Sequence, residues 1–252
     1  MSVRVLSRCT ARYTPRVPLA LSLTLLLAAF LSGSIPCGYL IARAKGVDIR
    51  TRGSGNIGAT NTGRVLGARY GFLCFGLDFL KGLAPSLLAG MLVSGAIASP
   101  LAGALSPAEA SLLRLGVALA AVLGHMHPPW LGFKGGKGIS CGFGALIGIY
   151  PVFTLGAIVA ILVWGIVLAL TRMVGIASVI GAIALTIVVG GSRLAPPAFN
   201  DSLARFSLYK PATTIEACFA AALCVLIIYK HRANIVRTFK GTELKVGGKK
   251  AA

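Results

Sequence analysis

Long apolar runs alternate with short polar, glycine-containing segments along this chain. The runs are close to the ~20 residues with which an α-helix crosses the hydrocarbon core of a bilayer, and they lack the single apolar stripe of a helix on a soluble core. The pattern therefore predicts an all-α, polytopic integral membrane protein of about seven transmembrane helices. The predicted helices cover residues 19–42, 70–97, 112–125, 139–150, 151–170, 174–190 and 213–229.

The excess of basic residues indicates which side of the membrane the loops face. The chain has 25 Lys and Arg against 6 Asp and Glu, a formal net charge of +19. In a soluble protein this excess would indicate a nucleic-acid partner, but here the basic residues sit in loops and the tail, and no nucleic-acid-binding motif is present. Membrane orientation and anionic lipid headgroups account for it better. The positive-inside rule places the polar segments and the C-terminus in the cytoplasm and, with seven spans, the N-terminus outside.

The two ends of the chain are interpreted as separate from the membrane domain. We predict a basic, disordered leader at residues 1–18, an integral membrane domain at 19–243 and a disordered basic tail at 244–252. The leader carries arginines and no acid, so its predicted outside position conflicts with the positive-inside rule, and its orientation stays open. Within the first span, Pro36 predicts a kink because proline removes a helical hydrogen bond.

A polar, glycine-rich segment follows the first span, at residues 50–64. Its glycines, Gly53 and Gly55 among them, allow the backbone to turn inward and present N–H groups to an anion. Neutral donors and fixed positive charges accompany them: Ser54, Asn56, Thr60 and Asn61, with Arg50, Arg52 and Arg64. The segment is typical of a phosphate site, although a solvated basic loop beside a membrane has the same composition.

Two later segments have the same character and are predicted on the same side of the membrane. In the first, Lys134 and Lys137 flank Gly135 and Gly136, so that ammonium and backbone N–H groups can surround a phosphate. A Walker A motif is absent, which argues against nucleotide hydrolysis. The second begins the tail at Lys230, where helical spacing would place polar side chains on one face: His231, Asn234 and Arg237. Together the three segments predict a site for two anions, or for one anion with several charges.

Other polar residues leave structural and functional interpretations open. Asp78 and Lys81 are three residues apart within a predicted span, and their ion pair either marks a functional site or only neutralises two buried charges. His125 and His127 are candidates for acid–base catalysis, although packing or capping explains them as well. The six cysteines include no Cys-x-x-Cys pair, so neither a metal site nor a disulfide framework is expected.

Five segments occur in an order that resembles one family. They are Gly33-Ser-Ile-Pro36, Gly53-Ser-Gly-Asn-Ile-Gly-Ala-Thr-Asn61 with Arg64, Asp78-Phe-Leu-Lys-Gly82, Gly124-His with Phe133-Lys-Gly-Gly-Lys-Gly138, and Tyr229-Lys-His-Arg-Ala-Asn-Ile-Val-Arg237 with Gly241 and Glu243. Over about residues 31–243 the chain resembles the bacterial acyl-phosphate:glycerol-3-phosphate acyltransferases, the PlsY family. The pairing of the second and fourth segments is highly specific, unlike its separate pieces.

The resemblance implies an enzyme of the bacterial inner membrane with its active site facing the cytoplasm. It would transfer a fatty acyl group from acyl phosphate to the 1-hydroxyl of sn-glycerol 3-phosphate, giving lysophosphatidic acid and inorganic phosphate in the first committed step of phospholipid synthesis. The family uses no cofactor, since it needs no thioester carrier, metal or nucleotide. It also needs no protein general base, because the leaving phosphate can take the hydroxyl proton. The expected partners are the two substrates and membrane lipids, without nucleic acid, and a monomer is expected.

The same resemblance assigns roles to residues of this chain. Ser54 and Lys137 would hold the acyl-phosphate headgroup together with neighbouring glycine backbone. Three further catalytic residues would hold glycerol 3-phosphate: Arg64, His231 and Asn234. The remaining substrate-binding residues predicted with them are Gly53, Gly55, Asn56, Asn61, Lys134, Gly135, Gly136 and Arg237.

Two other functions fit the same sequence less fully. A transporter of organic phosphates would also use basic loops and glycine-broken helices, but transport sites lie near the bilayer midplane between repeated halves, and no repeat is found. A non-catalytic protein that binds anionic lipid would explain the charge, but not the order of Gly, Ser and Asn. The chain departs from the family at its leader and at the polar loop predicted over 191–211. It also departs where Cys141 and nearby residues replace the small hydroxyl residues expected after Gly138, a change for which Ser140 compensates only in part.

Overall fold

The computed structural model describes residues 16–205 and 210–247, and every regular element in these ranges is a helix. The predicted all-α class is therefore confirmed. Residues 1–15 of the predicted leader and residues 248–252 of the predicted tail lie outside the described ranges.

Ten α-helices and two 3-10 turns make up the described chain. The α-helices are α1 (Arg16–Ser34), α2 (Cys37–Arg43), α3 (Ala59–Leu66), α4 (Ala68–Ser94), α5 (Pro107–Met126), α6 (Ile139–Gly148), α7 (Thr154–Thr171), α8 (Val174–Leu194), α9 (Pro197–Ala204) and α10 (Thr214–Phe239), and the 3-10 turns are Ile49–Thr51 and Pro129–Leu131. Six segments in these ranges are long and apolar enough to cross a membrane: α1 with α2, α4, α5 with the turn after it, α7, α8 and α10. The remaining predicted span corresponds to α6, an apolar helix of 10 residues.

The first span is interrupted, and the predicted kink is confirmed. α1 ends at Ser34 and α2 begins at Cys37, because Pro36 has no N–H to continue the helical hydrogen bonds. The break leaves the Ile35 carbonyl without a helical partner, and this oxygen accepts a hydrogen bond of 2.6 Å from the Lys81 ammonium group on α4. A charged side chain from the next span therefore stabilises the break.

Capping residues start the third span earlier than predicted. α5 begins at Pro107 and not near residue 112. The Ser106 side chain accepts a hydrogen bond from the Glu109 N–H, and the Glu109 carboxylate accepts one from the Ser106 N–H at 2.8 Å. This reciprocal cap, with proline in the first turn, is a strong helix start within a segment whose Ala, Ser and Pro content indicated a loop.

Some segments expected to be irregular are helical. The stretch between the predicted spans 19–42 and 70–97 contains α3, and the polar loop expected at 191–211 contains the end of α8 and all of α9. α10 continues to Phe239, beyond the predicted end of the last span at residue 229, and includes the polar residues whose helical spacing was predicted. Hydropathy marks where a helix leaves the bilayer and not where the helix itself ends, which explains this difference.

Glycines allow the membrane helices to approach each other closely. A Cβ atom added at Gly82 of α4 would collide with the Cys141 carbonyl on α6, and one at Gly144 of α6 would collide with the Phe79 carbonyl on α4. Gly124 of α5 lies in the same way against the backbone of α1. Small residues at helix contacts are the usual means of packing in a bilayer, because apolar side chains gain little by leaving lipid for protein.

The ion pair predicted between Asp78 and Lys81 is confirmed, with both side chains buried and 2.8 Å between the charged atoms. The Nδ1 atom of His125 on α5 lies 3.6 Å from the same carboxylate oxygen. This network joins α4 to α5 and, through Lys81, to the break in the first span. The structural interpretation of these three residues is therefore favoured.

Gly144→Ala should destabilise the protein, because the new methyl group would meet backbone of α4 that cannot move aside as a side chain can. We expect a loss of about 1–3 kcal/mol in the free energy of unfolding, the usual cost of overpacking. Gly76→Ala is the matched control, since nothing lies within 4 Å of its added Cβ. Thermal unfolding of both variants in detergent measures the difference, and equal midpoints would contradict the proposed helix contact.

Candidate active site

Three polar segments meet at one end of the helix bundle. This agrees with their predicted position on one side of the membrane. The first connects α2 to α4, the second connects α5 to α6, and the third is the end of α10 with the residues after it. The Asn56 amide donates a hydrogen bond of 3.4 Å to the Gly135 carbonyl, joining the first segment to the second. The Lys137 ammonium donates to the Asn234 amide oxygen, joining the second to the third.

The first segment is folded by an asparagine side chain. Asn61 is buried, and its amide oxygen accepts a hydrogen bond of 2.8 Å from the Ser54 N–H, while its amide nitrogen donates to the Arg52 carbonyl at 3.0 Å. Gly53 has a φ angle of 59°, and a Cβ atom there would collide with the Asn61 side chain. Glycine is therefore required for the turn that carries the Ser54 hydroxyl. Asn61 shapes this turn from inside the loop.

The second segment packs against the C-terminal end of α5. The N–H groups of Gly135 and Gly136 donate hydrogen bonds of 3.1 Å to the carbonyls of Met126 and His125. A Cβ atom at Gly136 would collide with the His125 ring, so glycine is required for this close contact. The contact fixes the backbone from which Lys137 reaches α10.

These contacts correct one expectation about the glycines. The N–H groups of Gly135 and Gly136 are used by α5, and the N–H of Gly55 donates to the Arg52 carbonyl at 3.0 Å. These three N–H groups are therefore not available to a phosphate in this structure, because each already has a carbonyl partner. The glycines serve close packing and tight turns, and any binding of an anion depends more on side chains than the sequence indicated.

A chain of hydrogen bonds connects the charged side chains of the second and third segments. The amide oxygen of Asn234 accepts a hydrogen bond from Lys137, and its amide nitrogen donates to one oxygen of Glu243. The Arg237 Nε donates to the other oxygen at 2.8 Å, and the Glu243 side chain is only 4% exposed. Glu243 is not among the predicted site residues. The sequence could have indicated it, because it is an acidic residue within an otherwise basic tail.

Positive charge exceeds negative charge in this cluster. Arg64 on α3 interacts electrostatically with Arg237 and Glu243, and burial lowers the pKa of the Arg64 guanidinium. Burial also lowers the pKa of Lys137 to about 8. Glu243 opposes this shift, whereas the two arginines increase it. Three cations thus face one carboxylate, an excess of two positive charges when all are ionised. Such an excess in a half-buried place favours a bound phosphate.

The residues after α10 are fixed by the turn between α7 and α8. The Val246 N–H donates to the Arg172 carbonyl at 2.8 Å, and the Arg172 Nε donates to the Val246 carbonyl at 2.9 Å. This pair of hydrogen bonds lies three residues beyond Glu243 and holds the chain that carries it. Arg172, at the end of α7, therefore supports the site indirectly.

One face of α10 supplies three of the predicted site residues. His231 is buried, and its Nδ1 contacts the Ile227 carbonyl at 2.9 Å, so Nδ1 carries the proton and Nε2 is left for other contacts. Asn234 follows one turn later, against Gly175 of α8, where a Cβ atom would collide with it. Arg237 follows after a further turn, so the helical spacing of the three is confirmed.

The remaining predicted residues lie outside this cluster or support it. Lys134 is exposed on the second segment. Arg50 pairs with Asp48 at 2.7 Å, and its hydrogen bonds hold the pKa of that carboxyl at about 2. The His127 Nε2 lies 3.1 Å from the Lys230 ammonium nitrogen. The Cys141 thiol is buried and donates to the Ala121 carbonyl at 3.5 Å, so it packs between helices.

The described ranges contain no group of three His, Cys, Asp or Glu side chains placed to hold a metal ion. The cysteines within them are free thiols: Cys37, Cys74, Cys141, Cys218 and Cys224. What the arrangement offers chemically is a set of cations, an amide, an imidazole and a hydroxyl at one end of an apolar bundle.

Comparison with known proteins agrees with this chemistry. A family model described as glycerol-3-phosphate acyltransferase matches residues 23–241. A glycerol-3-phosphate acyltransferase of Geobacter sulfurreducens is 41% identical over 221 residues, which are 88% of this chain and 95% of that protein. One of Desulforamulus reducens is 39% identical over 227 residues, which are 90% of this chain and 96% of that protein.

Two solved structures are also similar to this chain over most of its length. The crystal structure of PlsY (YgiH), an integral membrane glycerol 3-phosphate acyltransferase, in its glycerol 3-phosphate form is similar with a TM-score of 0.70 and 35% identity, covering 90% of this chain and 96% of that one. The lysophosphatidic acid form is similar with a TM-score of 0.66 and 35% identity, covering 89% and 94%. The chain therefore belongs to the glycerol-3-phosphate acyltransferase family.

Proposed function

We propose that this integral membrane acyltransferase takes its acyl group from acyl phosphate and transfers it to the 1-hydroxyl of sn-glycerol 3-phosphate. The products are lysophosphatidic acid and inorganic phosphate. The observation that carries the proposal is the cationic cluster formed by Arg64, Lys137 and Arg237, because both reactants bear phosphate and the cluster has positive charge in excess. The glycerol 3-phosphate and lysophosphatidic acid forms of the similar solved structures support it.

Two groups of residues around the cationic cluster bind the two reactants. Ser54 and Lys137 bind the headgroup of acyl phosphate, with the ammonium group near the bridging oxygen where negative charge develops. Arg64, His231 and Asn234 bind glycerol 3-phosphate. Other residues position these groups: Asn61 and Gly53 fold the first segment, Asn56 ties it to Gly135, and Glu243, which was not predicted, orients Asn234 and Arg237.

The reaction needs no nucleophilic side chain. The 1-hydroxyl oxygen attacks the acyl carbonyl carbon, the bond from that carbon to the phosphate oxygen breaks, and the phosphate leaves with the electron pair. The hydroxyl proton passes to the leaving phosphate, so no protein base is required. Holding both reactants side by side supplies roughly 7–11 kcal/mol of the barrier, and cations aimed at the leaving oxygen supply more.

The location of the site fits these reactants. Glycerol 3-phosphate is soluble in water, whereas a long-chain acyl phosphate partitions into lipid, so the two meet at the membrane surface. The excess of Lys and Arg in the loops supports a location of this surface on the cytoplasmic side of a bacterial inner membrane. The protein acts there as a monomer in contact with membrane lipids, without nucleic acid.

The donor and the site can be tested together with purified protein. Palmitoyl phosphate and sn-glycerol 3-phosphate should yield lysophosphatidic acid and inorganic phosphate in equal amounts, whereas palmitoyl thioester should yield none. Lys137→Ala and Ser54→Ala should each lower kcat/KM by about 100-fold or more, as removal of one oxyanion-stabilising donor does. Arg69→Ala is the matched control, because Arg69 is an exposed cation near the same surface that stacks on Tyr70. Normal turnover by both site variants would refute the assignment, and transfer from the thioester alone would refute the donor.

The lowered pKa of Lys137 predicts a pH dependence. The ammonium form binds phosphate and is lost as the pH rises through a pKa of about 8, so kcat/KM should fall above that pH. Lys137→Arg keeps the charge to far higher pH, so whatever activity that variant retains should not show this fall. Profiles of kcat/KM between pH ~6 and ~10 measure both proteins. A fall of the same size in the arginine variant would assign the titration to another group.

A further inference from the structure

Two aromatic side chains point outward from the turn after α5. This turn leads into the second polar segment, residues 134–137, which we call the lysine segment. In the run Trp130-Leu-Gly-Phe133, Leu131 packs against a small apolar core that includes Ile49. Trp130 and Phe133 on either side of it are 62% and 61% exposed. Because Leu131 anchors the turn, the exposure of its aromatic neighbours is a fixed feature of the fold.

The backbone at Phe133 is unusual for a residue of its size. Its φ angle is 61°, in the left-handed region that bulky residues rarely adopt, and its N–H donates to the Pro128 carbonyl at 3.0 Å. Glycine would occupy this position with less strain. The chain keeps a phenylalanine there and directs its ring away from the core, which indicates a role outside the folded interior.

Trp130 is held against a membrane-crossing helix. Its indole N–H donates a hydrogen bond of 2.8 Å to the hydroxyl of Ser34, the last residue of α1. Ser34 belongs to the candidate span Leu19–Arg43, and its neighbour Ile35 is 47% exposed. The polar atom of the indole is therefore satisfied by protein, while most of the ring stays exposed near the end of a candidate span.

The same turn leads directly into the candidate active site. Lys134 follows Phe133, and three residues later Lys137 contacts Asn234. The two exposed rings therefore lie on the turn that comes directly before the cationic residues of this segment.

We propose that Trp130 and Phe133, which we name the aromatic lip, lie in the boundary between headgroups and acyl chains and guide the chain of acyl phosphate from the leaflet into the site. This inference rests on the proposed function, since it assumes a donor that is dissolved in the membrane. The rings supply apolar contact for the chain while the phosphate moves toward Lys137. The lip therefore acts on capture of the donor and not on the chemical step.

The position of the lip can be measured without turnover. The chain has two tryptophans, so Trp164→Phe leaves Trp130 as its single indole fluorophore. This variant is reconstituted in vesicles of phosphatidylcholine brominated near the carbonyl end, at the middle or near the methyl end of the acyl chain. Quenching should be strongest with bromine near the carbonyl end. Emission that no brominated lipid quenches would place Trp130 in water and overturn the proposal.

The role of the lip requires kinetics in vesicles. Phe133→Gly removes one ring and relieves the left-handed backbone, so the variant should fold as well as the parent. Its KM for palmitoyl phosphate should rise about threefold to tenfold, as expected for loss of one ring's apolar contact, with kcat and the KM for glycerol 3-phosphate unchanged. Trp130→Ala should act in the same direction. Phe72→Ala is the matched control, since Phe72 is a 77% exposed phenylalanine in the first turns of α4, next to the segment that carries Arg64.

Two kinetic outcomes would overturn the proposal. An equal rise in KM for Phe72→Ala would show a general effect of lipid-facing rings. A parallel loss of kcat in Phe133→Gly and Trp130→Ala would show that the turn only shapes the lysine segment. If the parent protein used no acyl phosphate at all, the proposed function would fail instead, and the quenching result would still report the position of the lip.

Discussion

An excess of positive charge in a half-buried place is the constraint on which the rest of this structure depends. Lys137, Arg64 and Arg237 come from three different elements and repel one another, and repulsion between partly buried charges is weakly screened by salt. Glu243 compensates only one of the three charges. The lowered pKa of Lys137 records how unfavourable its charged form is in these surroundings. The cations therefore stay together because the fold holds them there.

The fold achieves this through contacts that leave little freedom. Gly136 packs on the His125 ring, and His125 lies beside Asp78, whose partner Lys81 in turn stabilises the break in the first span. The lysine segment thus rests on a buried network that reaches across three spans. Glycine contacts such as that of Gly144 with α4 fix the spacing of the helices beneath it. Since interiors packed in this way are hard to deform, the positions of the charged side chains above them are well defined.

The sequence indicated the helical class, the broken first span, the Asp78–Lys81 pair and the meeting of three polar segments, because each depends on a strong local signal. Hydropathy reveals apolar helices, proline marks a break, and helical spacing pairs the two charges. Hydropathy ended the last span at residue 229 although α10 extends to Phe239, because a helix outside the bilayer has no apolar signal, and only the spacing of His231, Asn234 and Arg237 indicated the extension. The partners of the glycine N–H groups were also missed. They are carbonyls of α5 and of the loop itself, and only the folded backbone brings them within reach.

Charge also bears on how the proposed reaction would end. A phosphate monoester carries about −1.5 to −2 charges near neutral pH, so two phosphate reactants bring more negative charge than an excess of two cations can neutralise. Under the proposed function, some repulsion between the reactants would persist while both are bound, and neutral donors such as Ser54 and Asn234 would have to offset it by orientation. Transfer of the acyl group breaks the bond that tied one phosphate to the lipid chain, so that phosphate becomes free to leave, and its departure removes the repulsion. A site with too few cations for both reactants thus favours release of one product, whereas a fully neutralising site would retain it.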